Sequence, residues 1–141
     1  GVGFTSQGDH YGSPYKRTVA SYDDSVAWIF DGITEEFLGD FGLSGGGAAG
    51  FELDRADTRL GTPLNAIILA SSGHHDESFV LVPEDILTHH DTWPHEPKED
   101  LIRADIVYFD TSNGGAVFSV GSITFCGSLP IIIARTIFSQ L

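Results

Sequence analysis

A chain of 141 residues with 20 acids against 7 lysines and arginines carries a formal charge of −13. That balance disfavours nucleic acid and anionic membranes, both of which bind a positive face. The single cysteine, Cys126, excludes an internal disulfide and fits a reducing compartment. No apolar run approaches the roughly 18 residues of a spanning helix and no signal peptide is visible, so a cytoplasmic location is the expectation.

The length suits one domain over 1–141. A start at Gly1, the absence of methionine and the loop-like first twenty residues point to a piece of a longer polypeptide. Residues 1–22 show no periodicity and read as a long loop. Asp23 and Asp24 can cap a short helix through Ser25-Val26-Ala27-Trp28-Ile29-Phe30, which Gly32 would stop. From Ile33 to Gly50 the pattern is irregular. Ala66-Ile67-Ile68-Leu69-Ala70, closed by Ser71-Ser72-Gly73, predicts a strand buried on both faces.

Phe79-Val80-Leu81-Val82 predicts a second strand, and Pro83 opens a helical turn. Residues 89–99, with His89, His90, Trp93 and two prolines, have loop composition. Ile106-Val107-Tyr108-Phe109 and Ala116-Val117-Phe118-Ser119-Val120 flank Asn113-Gly114, a hairpin signal. Ile133, Ala134, Ile137, Phe138 and Leu141 share one side of a closing helix. The pattern is α/β, with a core shared with sequence outside this stretch.

The run Gly45-Gly46-Gly47-Ala48-Ala49-Gly50-Phe51-Glu52-Leu53-Asp54-Arg55 sets flexible backbone against acid, acid and base. Gly45, Gly47 and Gly50 spell G-x-G-x-x-G. A dinucleotide site also needs an apolar strand before the glycines, a helix after them and an acid about twenty residues on. Here glycines break the preceding segment and the position twenty past Gly50 is Ala70. The readings left open are a Gly-rich connection between core elements, or an active-site loop in which Glu52, and less readily Asp54 or Arg55, faces a substrate.

His74-His75-Asp76-Glu77 and His89-His90-Asp91 invite a metal, but adjacent residues on an extended chain face opposite ways. No H-x-x-x-H or H-E-x-x-H spacing occurs. These histidines read as solvated loop residues, with His74 or His75 also placed where the best strand ends, the position at which α/β folds bind ligands. Cys126, between Phe125 and Gly127, reads as a buried, inert thiol. Tyr11, Tyr15 and Tyr22 read as interface or core residues, although phenolate oxygen suits ferric iron.

Five segments in register carry a resemblance over nearly the whole chain. They are Gly1-Val2-Gly3-Phe4-Thr5-Ser6-Gln7-Gly8, Gly39-Asp40-Phe41-Gly42-Leu43, the Gly45–Arg55 block, Ala104-Asp105-Ile106-Val107-Tyr108-Phe109, and residues 114–123. Together they resemble the C-terminal region of the large subunit of the N,N-dimethylformamidase family. The resemblance implies an amidohydrolase that splits N,N-dimethylformamide into dimethylamine and formate. It implies large and small subunits in a hetero-oligomer, and a mononuclear iron held by two tyrosines and a glutamate upstream of this stretch. It implies the C-terminal half of a class I glutamine-amidotransferase-like (ThuA-like) α/β domain.

Glu52 is the acid expected nearest the substrate, with Gly46, Gly47 and His74 as pocket or loop candidates and no metal ligand within the chain. A tertiary formamide has a resonance-stabilised carbonyl and no N–H, so a Lewis acid that activates water, with a carboxylate to move the proton, suits the chemistry. The alternatives are a non-catalytic amidotransferase-like scaffold and a ThuA-like enzyme for another small molecule. Where relatives carry a polar loop before the last helix, Ser128-Leu129-Pro130 here runs straight into Ile131.

Overall fold

The computed structural model describes residues 1–9, 11–88 and 98–129. In chain order these form β1 (Gly3–Gln7), β2 (Tyr15–Arg17), β3 (Phe37–Leu38), β4 (Glu52–Arg55), β5 (Ile67–Ser72), β6 (Val80–Leu81), α1 (Pro83–Thr88), α2 (Lys98–Leu101), β7 (Asp105–Asp110) and β8 (Ala116–Ser119). The fold is thus mixed helix and strand. The strands make two sheets, ordered β4-β1-β6 and β3-β2-β5-β7-β8. Each pairing among the described strands is antiparallel.

The apolar run at Ile67 lies at the centre of the larger sheet. Leu69 and Ala70 are neighbours on β5 and both fully buried, but a register irregularity between Ile68 and Ala70 falls there and both join one hydrophobic cluster, while Ile67 and Ile68 are only partly buried, so the expected burial of the strand is partial. The Asn113-Gly114 hairpin forms between β7 and β8, with Asp110 opposite Ala116 and Gly114 at φ +80°. Pro83 opens α1. The segment after Asp23 is tighter than expected: a 3-10 turn over Ala27–Phe30, with the Asp23 carboxylate accepting from the Ser25 amide at 2.9 Å and Gly32 at φ +77°.

Two expectations are corrected. Residues 1–22 are not a loop, because β1 is the middle strand of the smaller sheet and β2 pairs with both β3 and β5. The sequence conceals both strands. β1 carries an irregularity that breaks its alternation, and β2 buries Arg17 at a core position. That guanidinium lies 4.1 Å from both the Tyr22 and Phe30 rings and donates to the Ser21 hydroxyl and the Ile33 carbonyl, so its burial is compensated. Cys126 is exposed. In the helical residues 125–129 it is Phe125 that turns inward, its ring edge-on to Tyr15 at 6.2 Å.

One hydrophobic cluster joins the sheets, with Leu53 from the smaller one and Tyr15, Leu69, Ala70 and Ile106 from the larger. Val26, Phe30 and Phe79 complete it from the connections. Among the described residues no helix is long and apolar enough to cross a membrane. The expected closing helix at 131–141 and the loop with His89, His90 and His95 lie outside the described residues.

Candidate functional site

The glycine block turns at 43–46 and then zips against residues 12–13. Gly12 donates to the Gly45 carbonyl at 2.7 Å, and Ser13 and Ala49 exchange backbone bonds of 2.8 and 3.0 Å. A Cβ on Gly47 would sit 2.5 Å from the Gly12 carbonyl, so this contact admits only glycine. Gly46, at φ +77°, faces open space. Two hydroxyls staple the block from the far end of the chain. Ser122 Oγ accepts from the Gly50 amide at 3.0 Å and donates to its carbonyl at 2.8 Å, while Thr124 Oγ1 donates to the Ala48 carbonyl at 3.0 Å.

The backbone leaves this anchor through Phe51 at φ +64°, a conformation that side chains rarely adopt, and Glu52 opens β4. Because alternate residues of a strand share a face, Glu52 and Asp54 point one way and Leu53 and Arg55 the other. Leu53 and Arg55 are buried. Arg55 donates to Asp85 Oδ1 at 2.7 Å, to Asp57 Oδ2 at 3.1 Å and to the Leu101 carbonyl. It is a structural cation tying β4 to α1 and to the end of α2, which corrects the reading of Arg55 as a substrate-facing base.

Glu52 is exposed and lines a cavity of about 360 Å³ with Ser44, Phe51, Ile123, Thr124 and Gly127. Gly46 and Gly47 do not line it; they set the path by which β4 arrives. Asp54 is half-buried, and burial first, then the neighbouring Glu52 charge, raises its carboxyl above the ordinary value of 3.8. Two carboxyls on one face in unlike environments suit proton handling. Below them, burial, then Asp105 and Asp54, push the Tyr15 phenol well up, and its hydroxyl donates to the Val120 carbonyl at 2.5 Å.

His74 stands elsewhere. It is exposed at φ +57°, just past the end of β5, and lines a second cavity of about 420 Å³ that includes Ser13, Lys16, Ser71 and Ser72. The two cavities share no lining residue. His75 turns inward, its Nε2 2.7 Å from Ser72 Oγ and its ring 4.7 Å from Phe79. The histidine pair therefore splits between surface and interior.

Among the described residues no three His, Cys, Asp or Glu side chains stand close enough to share a metal ion. The Glu52 cavity offers one carboxylate with hydroxyls, and Tyr15 is committed to the core. This donor set does not fit an iron centre. The positions that sequence reading passed over are Ser122, Thr124 and Gln7. The two hydroxyls act from some seventy residues away, and nothing local marks them.

The chain matches, over residues 1–136, the family described as N,N-dimethylformamidase beta subunit-like, C-terminal. It is 43% identical over 134 residues to the N,N-dimethylformamidase beta subunit of Alcaligenes sp and, to the same extent, to that of Paracoccus aminophilus. Each match covers 92% of this chain and 17% of the relative, so the chain spans about a sixth of the length of these curated relatives. With nearly all its residues matched, the chain belongs to the N,N-dimethylformamidase beta subunit-like C-terminal family.

Proposed function

We propose that this chain is the C-terminal part of the large subunit of an amide hydrolase that cleaves N,N-dimethylformamide, or a related small formamide, to dimethylamine and formate. The family match over residues 1–136 carries the reading. The remainder of the large subunit and a small subunit complete the assembly. Iron dependence belongs to that whole enzyme, with ligands from outside this chain. The amidotransferase-like domain assignment is part of this proposal, and the described strand pairings, all antiparallel, do not by themselves support it.

In this reading Glu52 takes a proton from a water as its oxygen attacks the formyl carbon. When the C–N bond breaks, the same carboxyl returns that proton to the departing dimethylamine nitrogen. The exposed carboxylate at the mouth of a cavity, held on a stapled strand end, supports the role. A second reading, a non-catalytic scaffold, draws on the tight packing of Gly47 against Gly12.

Dimethylamine release by the complete enzyme, with iron measured alongside, separates the two. Glu52→Gln is expected to lower kcat by roughly a hundredfold or more with iron retained. Near-normal turnover would leave the scaffold reading standing.

A further inference from the structure

β1 does not alternate as a regular strand does. Phe4 faces out, Thr5 and Ser6 are both buried, and Gln7 faces out again. The cause is a bulge: Phe4 lies opposite Asp54 and Ser6 opposite Leu53, leaving Thr5 as the extra residue. Its hydroxyl and carbonyl are both bonded, with Thr5 Oγ1 donating to the Leu53 carbonyl at 3.1 Å and the Thr5 carbonyl accepting from Val82 N at 3.0 Å. Without that extra residue, strict alternation from Phe4 would turn Ser6 outward and Gln7 into the core. The bulge thus sets Gln7 on the face that carries Glu52 and Asp54.

The register then brings Gln7 against Glu52. Gly8 donates to the Phe51 carbonyl at 2.9 Å, and the Glu52 amide is turned to the Gly50 carbonyl at 2.8 Å. Gln7 and Glu52 are therefore the narrow, non-hydrogen-bonded kind of antiparallel pair, in which Cα atoms approach to about 4.5 Å and side chains stand closest. A glutamine amide offers two N–H donors to a carboxylate. The titratable group shown to feel the Glu52 charge is Asp54 on its own strand, and the exposed Cys126 thiol lies between the cavity residues Thr124 and Gly127. Gln7 from β1 and the cavity residues Ser44, Phe51, Ile123, Thr124 and Gly127 carry no charge.

We propose that Gln7 is the positioning residue for Glu52: the two side chains are not hydrogen-bonded to each other in this structure, and in the catalytic cycle the Gln7 amide turns across the narrow pair to donate to one carboxylate oxygen, so that the other is aimed into the cavity. The inference rests on the proposed role of Glu52. It adds a role for a residue on a different strand, brought there by the Thr5 bulge.

The test uses the complete enzyme carrying Gln7→Leu, Gln7→Lys or Gln7→Glu, substitutions at an exposed position, with kcat and KM followed across pH. Gln7→Leu is expected to lower kcat by roughly tenfold with KM little changed, since orientation and not substrate binding is lost. Gln7→Lys moves the acid limb of the kcat/KM profile to lower pH by about half a unit to one unit, and Gln7→Glu moves it to higher pH. If Glu52→Gln abolishes turnover while neither charged variant moves the acid limb, the proposal for Gln7 fails alone. If Glu52→Gln retains turnover, the Glu52 reading and this proposal fall together.

Discussion

Arg55 permits a sharp test of what holds β4 in place. Its side chain is 2% exposed and meets Asp85, itself fully buried, at 2.7 Å. Arg55→Met removes the cation and leaves the Asp85 carboxylate in the interior without it. Breaking a buried pair from one side costs about 3–5 kcal/mol. At 1.4 kcal/mol per tenfold, local opening of β4 and α1 should rise roughly a hundredfold to a few thousandfold.

Hydrogen exchange measured by mass spectrometry on the complete enzyme reads this directly, in peptides covering 52–57 and 83–86. The double variant Arg55→Met/Asp85→Leu removes both charges, and apolar replacement of a buried pair is often close to neutral. It should recover most of the lost protection, because Asp57 keeps the Arg59 amide at 2.8 Å. A less than fivefold change in the single variant, or a double variant no better protected than the single, would refute the structural role assigned to Arg55.

Asp54 yields a pH dependence whose sign follows from its raised carboxyl. A carboxyl raised by folding holds its proton more tightly in the native state, so its ionisation removes stability as pH rises above the ordinary carboxylate value. Asp54→Asn should therefore flatten the loss of stability as pH rises above the ordinary carboxylate value in chemical denaturation; an unchanged slope would contradict the burial of Asp54. The glycine block separates two kinds of glycine. Gly46→Ala meets open space at positive φ and should cost about 1 kcal/mol. Gly47→Ala meets the Gly12 backbone at 2.5 Å and should cost roughly 1–3 kcal/mol, a ranking that thermal unfolding checks.

What the sequence determined by itself were the features written in local chemistry. The apolar run of β5, the Asn113-Gly114 turn, the proline at the start of α1 and the glycine-rich approach to Glu52 all depend on neighbours within a few residues, where backbone preference and hydrophobic period act directly. The five segments in register also sufficed to mark the family.

Tertiary structure decided the rest. β1 could not be read because its bulge at Thr5 cancels the period that would reveal a strand, and β2 because an arginine takes a core position between two rings. The fate of the acid, acid, base run turned on strand alternation: Glu52 and Asp54 to the open face, Arg55 into the interior. Cys126 went outward because Phe125 took the inward position against Tyr15. Gln7 stands beside Glu52 only through a register spanning 45 residues of chain. Pairing across such distances is set by the closing of the two sheets on one core, and no short window of sequence records it.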